Sequence, residues 1–256
     1  MSTPSPHRIE SPDNRVFKQL AKTLDVRGIR KLERALVSGP KTVADVLRDS
    51  SGLVEAWISA PSHPAPSNLP PHAKWYELAP PLFGKLDAAG TGAPMLLVKV
   101  PDIPTWNPDA IVRGCTLLVP FQDPENVGTV IRSAVAFGVE HVVLLDESAH
   151  PFHPKAVRAS GGAVFAAKLF DGPPLRAVPD GVPVVALSAG GRSIADFAFP
   201  DRFVLLPGVE GPGLPERFHS QALAIPMTGK VESLNAAAAT SIALYLWSQS
   251  RKGTRG

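Results

Sequence analysis

The amino-acid sequence predicts an α/β protein whose C-terminal half is built on a mostly parallel sheet. Apolar runs of strand length recur there, and few of them alternate with polar residues, which is typical of strands covered on both faces. Segments of helical or loop character separate the runs, and loops rich in glycine and polar residues follow three of them. The runs lie at residues 116–119, 141–145, 164–167, 183–187, 203–206 and 222–225.

The N-terminal part predicts a smaller domain of mixed helices and strands. Prolines among serines predict a flexible leader at 1–12, and further prolines loosen the chain at 101–112, so that a linker is expected at 105–112. We therefore expect a first domain at 13–104 and a second at 113–256. In the first domain the patterns predict helices at 14–36 and 42–47, strands at 53–58 and 95–100, and a proline-interrupted helix at 75–86.

Composition excludes some classes of function and favours none strongly. The chain has 256 residues, 44% of them hydrophobic, which is ample for a buried core. Its single cysteine, Cys115, excludes an internal disulfide and a zinc site made of several cysteines. Since no apolar run approaches the length of a membrane span and residues 1–10 lack a signal-peptide core, a cytoplasmic protein is expected.

The charge is mildly basic, with a net charge of +3, and part of it is concentrated in residues 14–36. Seven lysines and arginines there face only two acidic residues. A basic helical face can follow the phosphates of a nucleic acid, but a merely solvated face fits the pattern equally well.

The first glycine-containing loop, 121–128, precedes a helix predicted at 129–137 that Gly138 ends. Arg132 is expected in the first turn of this helix, where its guanidinium can fold back over the loop beside Asn126. A cation next to an amide suits a phosphate or a ribose. A structural ion pair with a capping asparagine is an equally good interpretation.

Two further loops follow later strands. The loop 207–214 has three glycines around Glu210, but their order is not that of the dinucleotide-binding fingerprint. The stretch 225–235 breaks at Pro226 and Gly229, after which Ser233 or Asn235 provides the oxygen that caps a nearly apolar helix. A ligand site and a well-capped core helix are about equally compatible with this last pattern.

Together the three loops resemble the signature motifs of the SpoU (TrmH-type) RNA ribose 2′-O-methyltransferases of the SPOUT superfamily, over residues 113–250. The family's first motif, N-x-G-x-x-x-R, is matched by Asn126, Gly128 and Arg132, and its second, G-x-E-G-x-G, by Gly208, Glu210, Gly211 and Gly213. The third motif, I-P-M-x-G-x-x-x-S-L-N, is matched by residues 225–235.

The resemblance implies a parallel sheet with a C-terminal trefoil knot, S-adenosylmethionine as methyl donor, no metal, and a homodimer with active sites near its interface. It also implies that the first domain is an α+β RNA-binding domain similar to ribosomal protein L30e. The donor would contact Leu206, Gly208, Ile225, Met227 and Leu234, and the catalytic group would consist of Asn126, Arg132, Glu210, Ser233 and Asn235.

The function expected from this resemblance is methylation of a ribose 2′-hydroxyl in RNA, most often ribosomal RNA when an extra N-terminal RNA-binding domain is present. Because a guanidinium ordinarily stays protonated far above neutral pH, Arg132 is expected to orient the phosphate and ribose and to stabilise the developing oxyanion. Two alternatives are a transfer-RNA 2′-O-methyltransferase and a non-catalytic RNA-binding or assembly protein. A nucleotide-dependent oxidoreductase is disfavoured by the missing fingerprint.

Overall fold

A computed structural model of the chain describes residues 5–209 and 213–252, which divide into two compact units. One unit holds the described residues up to Asp102 together with His150–Phe165, and the other holds Ile103–Ala149 and the described residues from Ala166 onward. The helices are α1 (Arg15–Lys22), α2 (Val26–Leu32), α3 (Pro40–Asp49), α4 (Pro80–Leu86), α5 (Pro124–Phe137), α6 (Pro154–Ser160) and α7 (Ala236–Lys252).

The strands make two sheets, one in each unit. They are β1 (His7–Ile9), β2 (Arg34–Val37), β3 (Val54–Ser59), β4 (Lys74–Leu78), β5 (Met95–Lys99), β6 (Gly114–Val119), β7 (His141–Leu144), β8 (Leu169–Asp171), β9 (Val184–Ser193), β10 (Arg202–Leu206) and β11 (Ala222–Ala224). Among the described helices, none is long and apolar enough to cross a membrane.

The first unit is built on the mixed sheet β1-β4-β3-β5-β2. The helix predicted over 14–36 is wrong in its length, because the chain is divided by caps. Asn14 caps α1 through a 2.8 Å hydrogen bond from the Val16 amide, and Asp25 starts α2 by accepting 2.8 Å from the Gly28 amide. Residues 34–37 are extended rather than helical because they pair antiparallel with β5.

Prolines near residue 80 start a helix instead of interrupting one. The prediction of a helix at 75–86 is therefore wrong in its first part, where Lys74–Leu78 forms β4, and α4 begins with proline in its first turn. Residues 7–9 of the predicted leader form β1, which pairs parallel with β4, Ile9 opposite Leu78. Hydrogen bonding to a sheet edge orders a segment whose composition is that of a loop.

The second unit contains the sheet β11-β9-β10-β6-β7-β8, in which every neighbouring pair is parallel. The α/β class with a mostly parallel sheet is thus confirmed. The run at 164–167 is not a strand: Ala163–Phe165 forms a short turn of 3₁₀-helix, and the strand β8 begins later, at Leu169. Val164 is buried there without a sheet, and the ring centroid of the half-buried Phe165 lies 5.5 Å from that of Phe152.

Helix α5 begins earlier than predicted. Asp123 caps it by accepting 3.0 Å from the Glu125 amide, and Pro124 occupies its first position, while Gly138 ends it in the left-handed conformation as expected. Asn126 and Gly128 therefore belong to the helix and not to a loop. The prediction that Arg132 lies in the first turn is wrong for the same reason.

The centre of the second unit is dry and apolar, with Leu117, Leu118, Val204 and Leu206 fully buried. Cys115 is also buried in β6, and this burial raises the pKa of its thiol, so the group stays protonated. The cysteine is a packing residue.

Strand β9 contains a bulge that opens the sheet edge. Ala222 of β11 pairs with Ala186, but the next residue, Leu223, pairs with Arg192, so 187–191 project out of the ladder. Gly191 ends the bulge at a point where the backbones of β9 and β11 come very close, since a Cβ there would lie 2.5 Å from the carbonyl oxygen of Ala222. A side chain cannot be accommodated without moving backbone.

We expect Gly191→Ala to destabilise the protein, whereas Gly190→Ala should be almost neutral because a Cβ at residue 190 meets nothing within 4 Å. Overpacking of this kind costs about 1–3 kcal/mol. Chemical denaturation of both variants measures the difference in free energy of unfolding. Equal stabilities would show that β9 and β11 do not approach as described.

Candidate active site

A cavity of about 560 Å³ opens in the second unit, where the ends of β9, β10 and β11 meet the start of α7. The carboxyl ends of parallel strands are the usual position of a ligand site in an α/β fold. Its larger apolar side chains are those of Leu187, Val209, Leu214, Leu223, Ile225, Met227 and Leu234. The size lies within the range of small-molecule and cofactor sites, roughly 300–1,000 Å³.

Four of the five residues expected to hold a donor line this cavity, namely Gly208, Ile225, Met227 and Leu234. Gly208 lies where two backbone segments come close, because a Cβ there would be 3.1 Å from the Leu187 carbonyl oxygen. The fifth, Leu206, is fully buried in the core as the last residue of β10 and does not line the cavity. At Gly208, which has no side chain, backbone forms part of the wall.

Two of the expected catalytic residues, Ser233 and Asn235, also line the cavity. Asn235 is the cap of α7: its Oδ1 accepts 3.1 Å from the Ala238 amide. Its Nδ2 donates 3.2 Å to Oδ1 of Asn126, on the first turn of α5. The first and third motifs therefore meet through one hydrogen bond, and Asn126, which is buried, stands directly behind the cavity's polar rim.

Arg132 does not join this group. It follows Asn126 by six residues on α5, which places it about 120° around the helix and about 9 Å along it. Its side chain is exposed, and it makes no hydrogen bond or ion pair with residues 5–209 or 213–252. The neighbouring Ser133 faces α7, where its hydroxyl lies 2.7 Å from that of Ser241. Arg132 is therefore not among the described residues that line this cavity.

Glu210, the remaining residue of the expected catalytic group, lies outside the described residues, as does Gly211. None of the described residues that line the cavity carries a charge, and within the described chain no cluster of three or more His, Cys, Asp and Glu could hold a metal ion. The polar side chains on the lining are Ser188, Ser233 and Asn235.

Sequence reasoning missed one wall of the cavity, formed by Leu187, Ser188 and Ala189. These residues lie in the bulge of β9. The signal was available in the pair Gly190 and Gly191 directly after an apolar run, since glycines inside a strand pattern often mark a bulge. The same pattern, an apolar run of strand length followed by a loop with glycine, had identified the other walls.

Comparison with known proteins places this geometry in a family. The model of the SpoU rRNA Methylase family matches residues 115–245, which include all three motifs. The chain belongs to the SpoU rRNA Methylase family. The expected resemblance is therefore confirmed, and the match covers the sheet, α5 and most of α7.

Similar proteins of this family include a 23S rRNA (guanosine(2553)-2′-O)-methyltransferase of Bacillus subtilis, 28% identical over 93% of this chain and 98% of that protein. The crystal structure of the SpoU methyltransferase AviRb from Streptomyces viridochromogenes, in complex with AdoMet, has a TM-score of 0.77 and 25% identity. It covers 93% of this chain and 98% of that one.

A third relative is more similar in sequence but much longer. The ribosomal RNA small subunit methyltransferase G 2 of Syntrophobacter fumaroxidans is 54% identical over 97% of this chain, yet the chain spans only 50% of that protein's length. Its name describes a protein of twice the matched length, so the name does not decide what the matched half does.

The two roles of Asn235 can be separated by substitution. Asn235→Ala removes both the cap and the bond to Asn126 and should lower the free energy of unfolding by about 1 kcal/mol. Asn235→Asp keeps an acceptor for the Ala238 amide at the positive end of α7, so the loss should be smaller. Denaturant titrations of the three proteins measure this order, and an alanine variant as stable as the parent would contradict it.

Proposed function

We propose that the protein transfers a methyl group from S-adenosylmethionine to a ribose 2′-hydroxyl in RNA, and that its substrate is ribosomal RNA. The observation that carries this proposal is the meeting of Asn126 with Asn235 and Ser233 at the rim of an apolar cavity. Amide and hydroxyl groups beside a cofactor-sized cavity suit the positioning of a sugar hydroxyl next to a bound donor.

The cavity fits the donor in size and in chemistry. A nucleoside with an amino-acid chain needs an apolar slot with a few polar groups, and the lining supplies leucines and isoleucine together with Ser188 and backbone. The close approach of Gly208 to the Leu187 carbonyl leaves backbone groups at the surface of the slot, where no side chain covers them. Gly208, Ile225, Met227 and Leu234 are the residues that we propose to hold the donor.

S-adenosylmethionine, when bound, supplies a methyl group on a positively charged sulfur. The ribose 2′-hydroxyl is a weak nucleophile that loses its proton as its oxygen becomes methylated. The lining offers neither carboxylate nor imidazole among its described residues. Asn126, Ser233 and Asn235 are therefore proposed to orient the hydroxyl through hydrogen bonds, and stabilisation of the developing negative charge is left to a cation.

We propose that this cation is Arg132 of a second subunit. The large hydrophobic side chains that the described residues leave exposed are concentrated on α5, on α7 and on the segment before α7. They are Val135, Met227, Val231, Leu234, Ile242 and Tyr245. A patch of this kind favours a protein interface, and a twofold homodimer would cover it twice.

Arg132 lies on α5, three residues before Val135 of this exposed apolar patch. Leu234 belongs both to the patch and to the lining of the cavity. A partner that covers the patch would bring its guanidinium toward the neighbouring cavity. Arg132 would there bind an RNA phosphate and stabilise the ribose oxygen, as an always-charged donor of several hydrogen bonds. This arrangement accounts for an exposed arginine that has no partner among the described residues of its own subunit.

Ribosomal RNA is favoured over transfer RNA because the N-terminal unit adds a basic surface to the methyltransferase part. Relatives of the family that are named for 23S rRNA support the same choice. We propose this unit as an RNA-binding domain, residues 13–104, and a cytoplasmic site of action on the ribosomal RNA. Its exposed basic residues on α1 and α2 include Arg15, Lys22, Arg27, Arg30 and Lys31. Similarity of the unit to ribosomal protein L30e, and the trefoil knot over the C-terminal segment, stay predictions.

Incubation of the purified protein with S-adenosylmethionine carrying a labelled methyl group and with ribosomal RNA tests the proposed reaction. We expect the label at one ribose 2′-oxygen, mapped by resistance of that linkage to alkaline hydrolysis. Label on a base, or on transfer RNA alone, would contradict the proposal. Tight RNA binding without donor binding in calorimetry would instead identify a non-catalytic RNA-binding protein.

Arg132→Ala should leave the fold and donor binding intact and lower the rate of transfer about 10²- to 10³-fold, as expected for loss of one charge-stabilising donor. A dimer of one Arg132→Ala subunit and one Asn235→Ala subunit, isolated with two different tags, tests the position of the arginine. If Arg132 serves the partner's cavity, one of the two sites is intact and about half of the parent rate returns. If it serves its own cavity, both sites are broken and the mixed dimer stays as slow as either variant.

A further inference from the structure

The first unit carries a cavity of its own, about 480 Å³, between α1 and one face of its sheet. Ala56 and Leu97 contribute to an apolar floor, and β4 and β2 contribute polar and aromatic side chains. The volume falls in the range of small-ligand sites, roughly 300–1,000 Å³. Nothing in the methyl-transfer site accounts for this cavity, since all the residues that line it belong to Val16–Leu97.

A fixed hydrogen-bonding fork stands at its wall. The guanidinium of Arg34 donates two hydrogen bonds to the carboxylate of Glu55, one from Nε and one of 3.1 Å from Nη2. Its Nη1 donates a third, of 3.1 Å, to the Leu32 carbonyl. The hydrogen bond to Glu55 raises the pKa of Arg34, so the fork remains an ion pair. The pair contributes no net charge but presents a planar set of donors and acceptors in one orientation.

An aromatic ring and an amide also contribute to the lining, together with the side chains of Thr23 and His72. Tyr76, on β4, is half-buried, and its ring lies 6.0 Å from that of His7. Gln19 projects from α1 and can both donate and accept hydrogen bonds. An aromatic face together with donors and acceptors on fixed groups suits a flat heterocycle better than an extended peptide or a fatty chain.

Cations that have no ion-pair partner in the described part of the chain lie near the cavity. Arg15, Gln19 and Lys22 are spaced four and three residues apart on α1, so the two cations lie on either side of Gln19 along one exposed helix face. Lys74 lines the cavity from β4, is exposed, and has no ion-pair partner within 5–209 and 213–252. A neutral slot for a planar ring is thus bordered by positive charges.

We propose that this cavity binds one unpaired nucleotide of the RNA substrate. The base lies against the ring of Tyr76, its edge meets Gln19 and the Arg34–Glu55 pair, and the neighbouring phosphates pass the cations Arg15, Lys22 and Lys74. Duplex RNA keeps its bases stacked and paired, so the cavity selects single-stranded loops or bulges. The inference rests on the proposed function in one respect only, namely that the ligand is RNA.

Binding of a single-stranded RNA of about 12 nucleotides and mixed sequence to the full-length chain, with a duplex of the same length as reference, tests this inference. Tyr76→Leu removes the ring and should weaken single-strand binding about 5- to 100-fold, whereas Tyr76→Phe keeps the ring and should change it less than about twofold. Lys74→Glu should weaken binding roughly tenfold. It should also reduce the slope of log affinity against log salt concentration by about one, as expected for the loss of one phosphate contact.

Lys85→Glu is the matched control, because Lys85 is exposed on α4 in the same unit, outside the cavity, and the change in net charge is identical. The lysine pair keeps the test decisive if Tyr76→Leu does not fold. Equal affinities of the Lys74→Glu and Lys85→Glu variants, or a preference for the duplex, would overturn the inference. Competition by free GMP or AMP as strong as that of the RNA would assign the cavity to a free nucleotide and likewise overturn it.

Methyl transfer is measured separately on the same proteins. Absence of transfer by the parent chain, together with the expected order of RNA affinities, would sink the proposed reaction and leave the nucleotide cavity standing. Transfer by the parent chain, together with identical RNA affinities of all four variants, would support the proposed reaction and overturn the nucleotide cavity.

Discussion

The hydrogen bond between Asn235 and Asn126 is the interaction on which the geometry of the candidate site depends. It joins the cap of α7 to the first turn of α5 across 109 residues of sequence. Each asparagine lies at the start of a helix. Oδ1 of Asn235 accepts a hydrogen bond from the Ala238 amide, while its Nδ2 donates to Asn126. A cap normally satisfies only its own helix. Here the same residue also determines where one helix begins relative to the other, and the rim of the cavity lies at that point.

Around the rest of the cavity, glycine is needed at two points where backbone segments approach each other. The bulge of β9 projects Leu187–Ala189 into the lining because Gly191 lets the strand pass within contact distance of the Ala222 carbonyl. Gly208 permits the corresponding approach at the end of β10. Packing of this kind leaves few charged groups inside, and it agrees with a proposed donor that brings its own positive charge.

The exposed apolar side chains on α5 and α7 and the isolated Arg132 have one common explanation in the proposed homodimer. A single subunit leaves Tyr245 49% exposed and Ile242 37% exposed, next to a cation that has no partner among its own described residues. Covering the patch removes apolar surface from water and, in the same step, brings a guanidinium to the other subunit's cavity. In this proposal association and catalysis depend on the same surface. The N-terminal unit contributes separately, through a basic surface and a nucleotide-sized cavity on its sheet.

The sequence by itself determined the α/β class, the parallel sheet, the C-terminal end of α5, the start of α7, and the family, because short apolar runs, glycines and caps are local signals. It also identified Gly208, Ile225, Met227, Ser233, Leu234 and Asn235 as residues of one site, because the motifs can be recognised from the spacing of their residues along one sequence. Local signals were insufficient at β2 and β4, where strand pairing overrode helical periodicity, and at 164–167, where an apolar run begins in a 3₁₀ turn and forms no strand. Only the tertiary structure decided that Leu206 belongs to the core, that the β9 bulge forms a wall, and that Arg132 is exposed and does not line its own subunit's cavity. The reason is physical: pairing partners, a bulge register and the direction of a side chain around a helix depend on contacts between residues far apart in the chain, and no window of sequence contains both sides of such a contact.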